Sequence, residues 1–173
     1  MTRSARGFTL VELLIVVAII GIVAATAVPT MIRARIAANE ASAIASLRTL
    51  NGAQTTFATV AGRGGYAVEL AVLGVPCPGS QVPFLSSDLA SDPSYKSGYV
   101  IEVVASTGSV AGIADCNSAA TATAYYATAI PESALTGRRG FSSGGNGSIF
   151  FDETGVAPTE AQMQAGGGAE TIQ

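Results

Sequence analysis

The sequence contains no histidine and no tryptophan, and Lys96 is its only lysine. Charged residues make up 12% of the chain, with 9 basic and 12 acidic side chains. Histidine is the commonest general base and metal ligand, and no nucleophile or phosphate-binding glycine motif takes its place. The composition therefore predicts no enzyme, no cofactor and no metal site. There is also no basic stripe with interleaved aromatic residues, so no nucleic-acid partner is predicted.

The most prominent feature of the sequence is an apolar run near the N-terminus. Residues 8–28 include a single charged residue, Glu12, and Pro29 follows them. At about 1.5 Å per residue, a helix of this length spans roughly 30 Å, the thickness of the hydrocarbon core of a bilayer. A carboxylate in such a segment is expensive unless it lies near an interface or has a partner. Glu12 is therefore either a residue that reaches the membrane surface or one with a specific role.

The residues before the run carry Arg3 and Arg6 and end in Gly7. One interpretation is an ordinary secretory signal peptide that is cleaved after Ala27, within a small-x-small sequence. Against it, Glu12 is out of place in such a signal, and the helical pattern continues beyond the run. An uncleaved membrane anchor is a second alternative.

Residues 7–22 read Gly-Phe-Thr-Leu-Val-Glu-Leu-Leu-Ile-Val-Val-Ala-Ile-Ile-Gly-Ile. This stretch resembles the class III leader of type IV pilins and of the related pseudopilins of type II secretion. In that family a prepilin peptidase/N-methyltransferase cuts after the glycine and methylates the new N-terminus. The resemblance implies cleavage after Gly7, N-methylation of Phe8 and a role in assembly for Glu12, the fifth residue of the mature chain. Pro29 matches a proline that kinks the helix in many members.

The chemistry of a helix bundle offers Glu12 a partner. Cleavage creates an α-amino cation at Phe8, and the Glu12 of a neighbouring helix is a natural counter-ion for it. Two unit charges about 4 Å apart attract by roughly 4 kcal/mol at an effective dielectric constant of about 20. An unpaired carboxylate in the bundle is penalised, so the pairing favours one axial offset between neighbours.

The resemblance implies a structural subunit of a type IV pilus or pilus-like filament, which polymerises with copies of itself. Its implied partners are the peptidase, an inner-membrane assembly platform and minor pilins. The implied location is the bacterial inner membrane, with the C-terminal head outside, and then a surface filament, whose role in motility, adhesion, DNA uptake or secretion stays open. Two alternatives stay open. One is a pseudopilin of a type II secretion system, and the other is a single-pass anchored binding domain that never polymerises.

The sequence beyond Pro29 predicts an amphipathic helix over 29–60, because apolar residues recur there with helical period from Ile36 to Phe57. Glu40 lies on the same side as this stripe. It is interpreted as a solvated residue below the head or as a contact to a neighbouring subunit. The glycine-rich stretch 61–65 ends the helix.

Three segments with strand patterns follow, at 98–105, 121–130 and 148–152. We expect an α+β fold of the pilin type, in which a long N-terminal helix packs against a C-terminal antiparallel sheet of three or four strands. The predicted organisation is a leader at 1–7, a transmembrane or filament-core helix at 8–28, an amphipathic helix at 29–60, a globular head at 61–157 and a flexible tail at 158–173.

Cys77 and Cys116 are the only cysteines. In an exported chain an even pair indicates a disulfide, which would tie the irregular 66–97 region to the loop between the first two predicted strands. Free thiols are the alternative. Asp152 and Glu153 are candidates for calcium binding, but their spacing does not match a calcium ligand set, so no metal residue is predicted.

Overall fold

A computed structural model describes residues 7–164 and 167–172. Residues 1–6 of the predicted leader, and residues 165, 166 and 173 of the predicted tail, lie outside the described residues. The chain divides into two units, Met1–Arg35 and Ile36–Gln173. A single helix, α1 (Leu10–Val60), runs through both units.

The first unit consists of the apolar part of α1 and the residues before it. Every residue from Gly7 to Arg35 is exposed except Ala27, which is half-buried. The helix is long and apolar enough to cross a membrane. Pro29 lies inside it, and helical structure continues on both sides; the kink stays a prediction. The rest of the chain does not cover these large apolar side chains. Lipid or other helices are therefore expected to surround them.

The second unit is built on the remainder of α1. Its buried face confirms the predicted stripe, with a buried residue at every third or fourth position, including Ile36, Ala43, Leu47, Leu50 and Phe57. The helix ends at the predicted glycine-rich stretch, where the N–H groups of residues 61 and 62 both donate to the Phe57 carbonyl at 2.8 Å. A side chain at Gly62 would overlap the carbonyl of Gly65, so this turn depends on glycine.

Eight strands and two short helices follow α1 in the described residues. In chain order they are β1 (Tyr66–Ala67), α2 (Leu70–Leu73), β2 (Ser94–Lys96), β3 (Tyr99–Ala105), β4 (Thr121–Ala122), β5 (Tyr125–Pro131), β6 (Gly140–Gly144), β7 (Ile149–Asp152), α3 (Glu160–Met163) and β8 (Glu170–Ile172). Six of the strands form one antiparallel sheet in the order β2-β3-β5-β6-β7-β8. The remaining two, β1 and β4, pair with each other. The predicted α+β class, with a helix and an antiparallel sheet, is confirmed.

The sheet has more strands than the three or four expected from the sequence. The three predicted strands correspond to β3, to β4 with β5, and to β7, whereas β2, β6 and β8 were not predicted. β2 and β8 have only three residues each, too few to show an alternating pattern. β6 reads Gly-Phe-Ser-Ser-Gly, a composition with low strand propensity, so it is a strand because β5 and β7 flank it.

Gly140 of β6 makes room for a segment that lies on one face of the sheet. Phe141 is fully buried in the core, so its neighbours in the strand point to the opposite face of the sheet. A side chain at Gly140 would overlap the backbone of Val156. On the adjacent strand β5, the Tyr126 hydroxyl donates to the Pro158 carbonyl at 2.6 Å. The residues after β7 therefore cover this face of β5 and β6.

The described residues of the predicted tail, from residue 158 onward, form secondary structure and contacts with the head, while the flexibility of the tail stays a prediction. The backbone N–H of Thr107 donates to the Glu160 carboxylate at 2.8 Å, and a capping box between Thr159 and Gln162 starts α3. The chain then returns as β8, which pairs with β7. These contacts join the segment to partners far away in sequence, which its own glycine-rich composition does not indicate.

Glu40 is bound within its own head, in contrast to both interpretations made from the sequence. Its side chain is only 8% exposed and forms an ion pair with Arg139 at 2.7 Å. Its other carboxylate oxygen accepts the backbone N–H of Arg138 at 3.1 Å. The Arg139 guanidinium in turn lies over the rings of Phe141 and Phe151, 5.6 and 5.2 Å from their centroids. The pair thus joins α1 to the start of β6.

The sulfur atoms of Cys77 and Cys116 form a disulfide, with the two Cα atoms 5.5 Å apart. The bridge ties the segment after α2 to the loop between β3 and β4, two regions of irregular structure. The bonded residues are 39 positions apart in the sequence.

Replacing both cysteines by serine is expected to lower the free energy of unfolding by about 4 kcal/mol, because a loop of about 40 residues is no longer closed in the unfolded chain. Denaturation of the full chain in detergent measures the change, and the unmutated protein after reduction is the matched control. Quantitative alkylation of both cysteines in unreduced, denatured protein would contradict the bridge.

Candidate functional site at the start of the long helix

Reciprocal hydrogen bonds between Thr9 and Glu12 close the N-terminus of α1. The Glu12 N–H donates to Thr9 Oγ1 at 3.2 Å. In return, Glu12 Oε2 accepts the Thr9 N–H at 2.9 Å and the Thr9 hydroxyl at 2.7 Å. The first turn of a helix leaves N–H groups without partners, and a capping box of this kind supplies them. The helix dipole also stabilises a negative charge at the N-terminus of a helix, which is where Glu12 lies.

Thr9 is absent from the residues predicted to be functional, although its signal is present in the sequence. Threonine followed three positions later by glutamate, ahead of an apolar run, is the signature of a capping box. The charge of Glu12 indicates a role within the membrane or the filament, whereas its spacing from Thr9 indicates a local role in capping the helix. Both roles concern the same carboxylate.

Of the predicted site residues, Gly7, Phe8 and Glu12 lie near the start of α1, and the others lie elsewhere in the chain. Gly7 and Phe8 precede α1 in exposed, irregular structure, and Glu12 is exposed one turn into the helix. Glu12 Oε2 holds the cap, whereas Oε1 has no hydrogen bond to any of the described residues. Pro29 lies within the helix, and the disulfide belongs to the second unit. The peptide bond between Gly7 and Phe8 is thus accessible, and one oxygen of Glu12 is available to a further donor.

Comparison with known proteins provides independent evidence about the same segment. A family model described as the prokaryotic N-terminal methylation motif matches residues 2–28. The chain is 50% identical over 52 residues to the type IV major pilin protein PilA of Myxococcus xanthus, a match that covers 30% of this chain and 24% of that protein. The N-terminal part of the chain is thus similar to type IV pilins.

A second pilin relative is the type IV wide pilus major component PilA4 of Thermus thermophilus, with 58% identity over 38 residues. That match covers 22% of this chain and 29% of the relative, so the chain spans about a quarter of the length of these two curated pilins. No solved structure gives a significant match.

Both similar proteins are named as major pilus components, which agrees with the expectation of a structural subunit. The methylation motif and the apolar helix also agree with the predicted location.

Proposed function

We propose that this chain is a structural subunit of a type IV pilus or pilus-like filament. It is made as a membrane-anchored prepilin, cleaved after Gly7, N-methylated at Phe8 and polymerised through α1. The observation that carries the proposal is the methylation motif at residues 2–28, which leads into a helix whose apolar side chains are uncovered from Leu10 onward. Both similar relatives are named as major pilus subunits, which favours a pilus over a secretion pseudopilin.

The capping box supports a specific mode of pairing between neighbours. Because Thr9 holds Oε2 of Glu12, the carboxylate is directed toward the N-terminal end of its own helix. Its Oε1 is then the acceptor for the Phe8 amine of a neighbouring copy. This contact shifts one helix against the next by four residues, about 6 Å at the helical rise of about 1.5 Å per residue.

Polymerisation also covers the apolar surface of α1. A carboxylate and an amine that are both removed from water need each other as partners. The hydrophobic effect also favours burial of the surrounding leucine, isoleucine and valine side chains, but it does not select one alignment of the helices over another. The apolar surface therefore supplies the driving force, and the charge pair selects the register. Repeating one head-to-tail contact between identical subunits produces an open helical filament.

Mass spectrometry of the mature protein is expected to show a chain that begins at N-methylated Phe8. The resemblance implies a peptidase that cuts after glycine, so Gly7→Glu is expected to leave the leader attached. Ser4→Glu in the same leader serves as a matched control. A mature N-terminus at Val28 would instead support an ordinary signal peptide and contradict the proposal.

A further inference from the structure

The hairpin turn between β6 and β7 contains an asparagine followed by a glycine. Residues 145–148 are all exposed. The Gly147 N–H donates to the Gly144 carbonyl at 2.9 Å, and Asn146 Oδ1 accepts the Ser148 N–H at 3.1 Å. Gly147 has a φ of 73°, in the left-handed region that glycine adopts at no steric cost. The turn therefore favours a glycine directly after Asn146.

An asparagine side chain can react with the backbone nitrogen of the residue that follows it. The Gly147 nitrogen attacks Cγ of Asn146, the new N–Cγ bond closes an imide ring, and Nδ2 leaves as ammonia with the proton of the attacking nitrogen. Water then opens the ring at either carbonyl group, which gives an aspartate or an isoaspartate without any change in oxidation state. Glycine has no side chain to hinder the attack, and asparagine is among the thermolabile residues of proteins. The pair therefore needs only water to react.

A second asparagine–glycine pair, Asn51–Gly52, provides an internal comparison. It lies within α1, where ring closure requires the Gly52 nitrogen to give up its helical hydrogen bond. Asn51 is buried, its Nδ2 donates to Ser143 Oγ at 2.8 Å, and its Oδ1 accepts the Tyr125 hydroxyl at 2.9 Å. Reaction at Asn51 thus requires the core to open, whereas reaction at Asn146 requires only the exposed turn to open. Exposed turns open at a much lower free-energy cost than the core.

The exposed turn is joined to α1 through the same buried asparagine. Asn51 Nδ2 also donates to the Gly147 carbonyl at 3.2 Å, and the Ser143 hydroxyl donates to the Ser148 carbonyl at 2.8 Å. An isoaspartate in place of Asn146 carries the main chain through the former side chain, which adds a carbon atom directly before Gly147. The added atom changes the position of the Gly147 carbonyl relative to Asn51. Both products also place a new carboxylate on the turn.

We propose that Asn146 is a site of spontaneous deamidation, at which ring closure onto Gly147 and attack by water add a negative charge to the head as the protein ages. The isoaspartate product weakens the contact between the β6–β7 turn and α1. The reaction requires neither cleavage after Gly7 nor polymerisation, so the inference is independent of the proposed function. The sequence contains two asparagine–glycine pairs, and the tertiary structure selects the one that reacts.

Incubation of the purified full chain in detergent and mildly alkaline buffer tests the reaction. Peptide mass spectrometry and ammonia release follow the conversion of each asparagine with time. We expect Asn146 to react at least about tenfold faster than Asn51 in the folded protein, because only its turn opens readily. In denaturant both pairs are expected to react at similar rates, since Asn51 is no longer protected. Asn146→Ser cannot close the ring and is expected to remove most of the ammonia release from the folded protein.

A second measurement tests the effect on the contact with α1. The isoaspartyl form, separated from the incubated protein, is expected to unfold at a lower denaturant concentration than Asn146→Asp, which has the same charge and a normal main chain. Equal unfolding midpoints would overturn the weakened contact. Persistence of the Asn146 amide in the folded protein, under conditions in which the unfolded chain reacts, would overturn the site itself. Equal rates at Asn146 and Asn51 in the folded protein would also overturn it, because the reaction would then proceed through global unfolding.

Discussion

Glu12→Ala is expected to abolish filament formation while the precursor is still inserted in the membrane and cleaved. Neither insertion nor cleavage needs a charge pair between subunits, and loss of a charge from an apolar helix favours the membrane-bound state. Polymerisation is different, since the amine of Phe8 would enter the bundle without its counter-ion. An attraction of roughly 4 kcal/mol at an effective dielectric constant of about 20 corresponds to a loss of about a thousandfold in the equilibrium for adding a subunit.

Two further variants separate the charge of Glu12 from its role in the cap. Glu12→Gln retains an oxygen that can accept the Thr9 N–H, as glutamine does in a capping box, but it has no charge. Thr9→Val removes the cap hydroxyl and retains the charge. We expect Glu12→Gln to fail as Glu12→Ala does, and Thr9→Val to assemble with reduced yield, because loss of a cap costs about 1 kcal/mol.

The measurement compares filaments sheared from cells with the pool of cleaved protein in the membrane. Normal assembly of Glu12→Gln would show that the cap, and not the charge, is what assembly needs. Normal assembly of Glu12→Ala would contradict any role for this side chain, as the hypothesis of a simple membrane anchor predicts.

Glu40→Ala is expected to destabilise the head by about 3 kcal/mol, the lower end of what breaking a buried ion pair costs. The carboxylate accepts the Arg139 Nε–H at 2.8 Å as well as two backbone N–H groups, those of Arg138 and Arg139. Its removal leaves these donors without an acceptor. The Arg139 side chain is 35% exposed, so water partly compensates, which places the expected loss at the lower end.

The free energy of unfolding of the full chain in detergent, followed by denaturant titration, measures this loss. Glu102→Ala removes an exposed carboxylate from β3 and is the matched control, with an expected change within about 0.5 kcal/mol. Glu40→Gln retains an acceptor for the backbone N–H groups and is expected to lie between the two. Equal stability of Glu40→Ala and Glu102→Ala would show that the ion pair contributes nothing measurable.

Local patterns in the sequence determined the features that depend on neighbouring residues. The apolar run from Phe8 and the threonine–glutamate spacing of the cap both depend on residues within a few turns of one another. The stripe on α1 and the alternation in β3 likewise follow from the periods of a helix and a strand. The cysteine pair indicated a disulfide by number and context, and the structure joins Cys77 to Cys116.

The tertiary structure alone decided what Glu40, β6 and the C-terminal segment do. Glu40 and Arg139 are 99 residues apart in the sequence, and no local period connects them. β6 has the composition of a loop and is a strand because β5 and β7 supply its hydrogen bonds, while Gly140 leaves room for the segment at Val156. Propensity and periodicity report only on near neighbours in the chain. Contacts between distant segments appear only once the whole chain has packed, so they cannot be predicted from these local patterns.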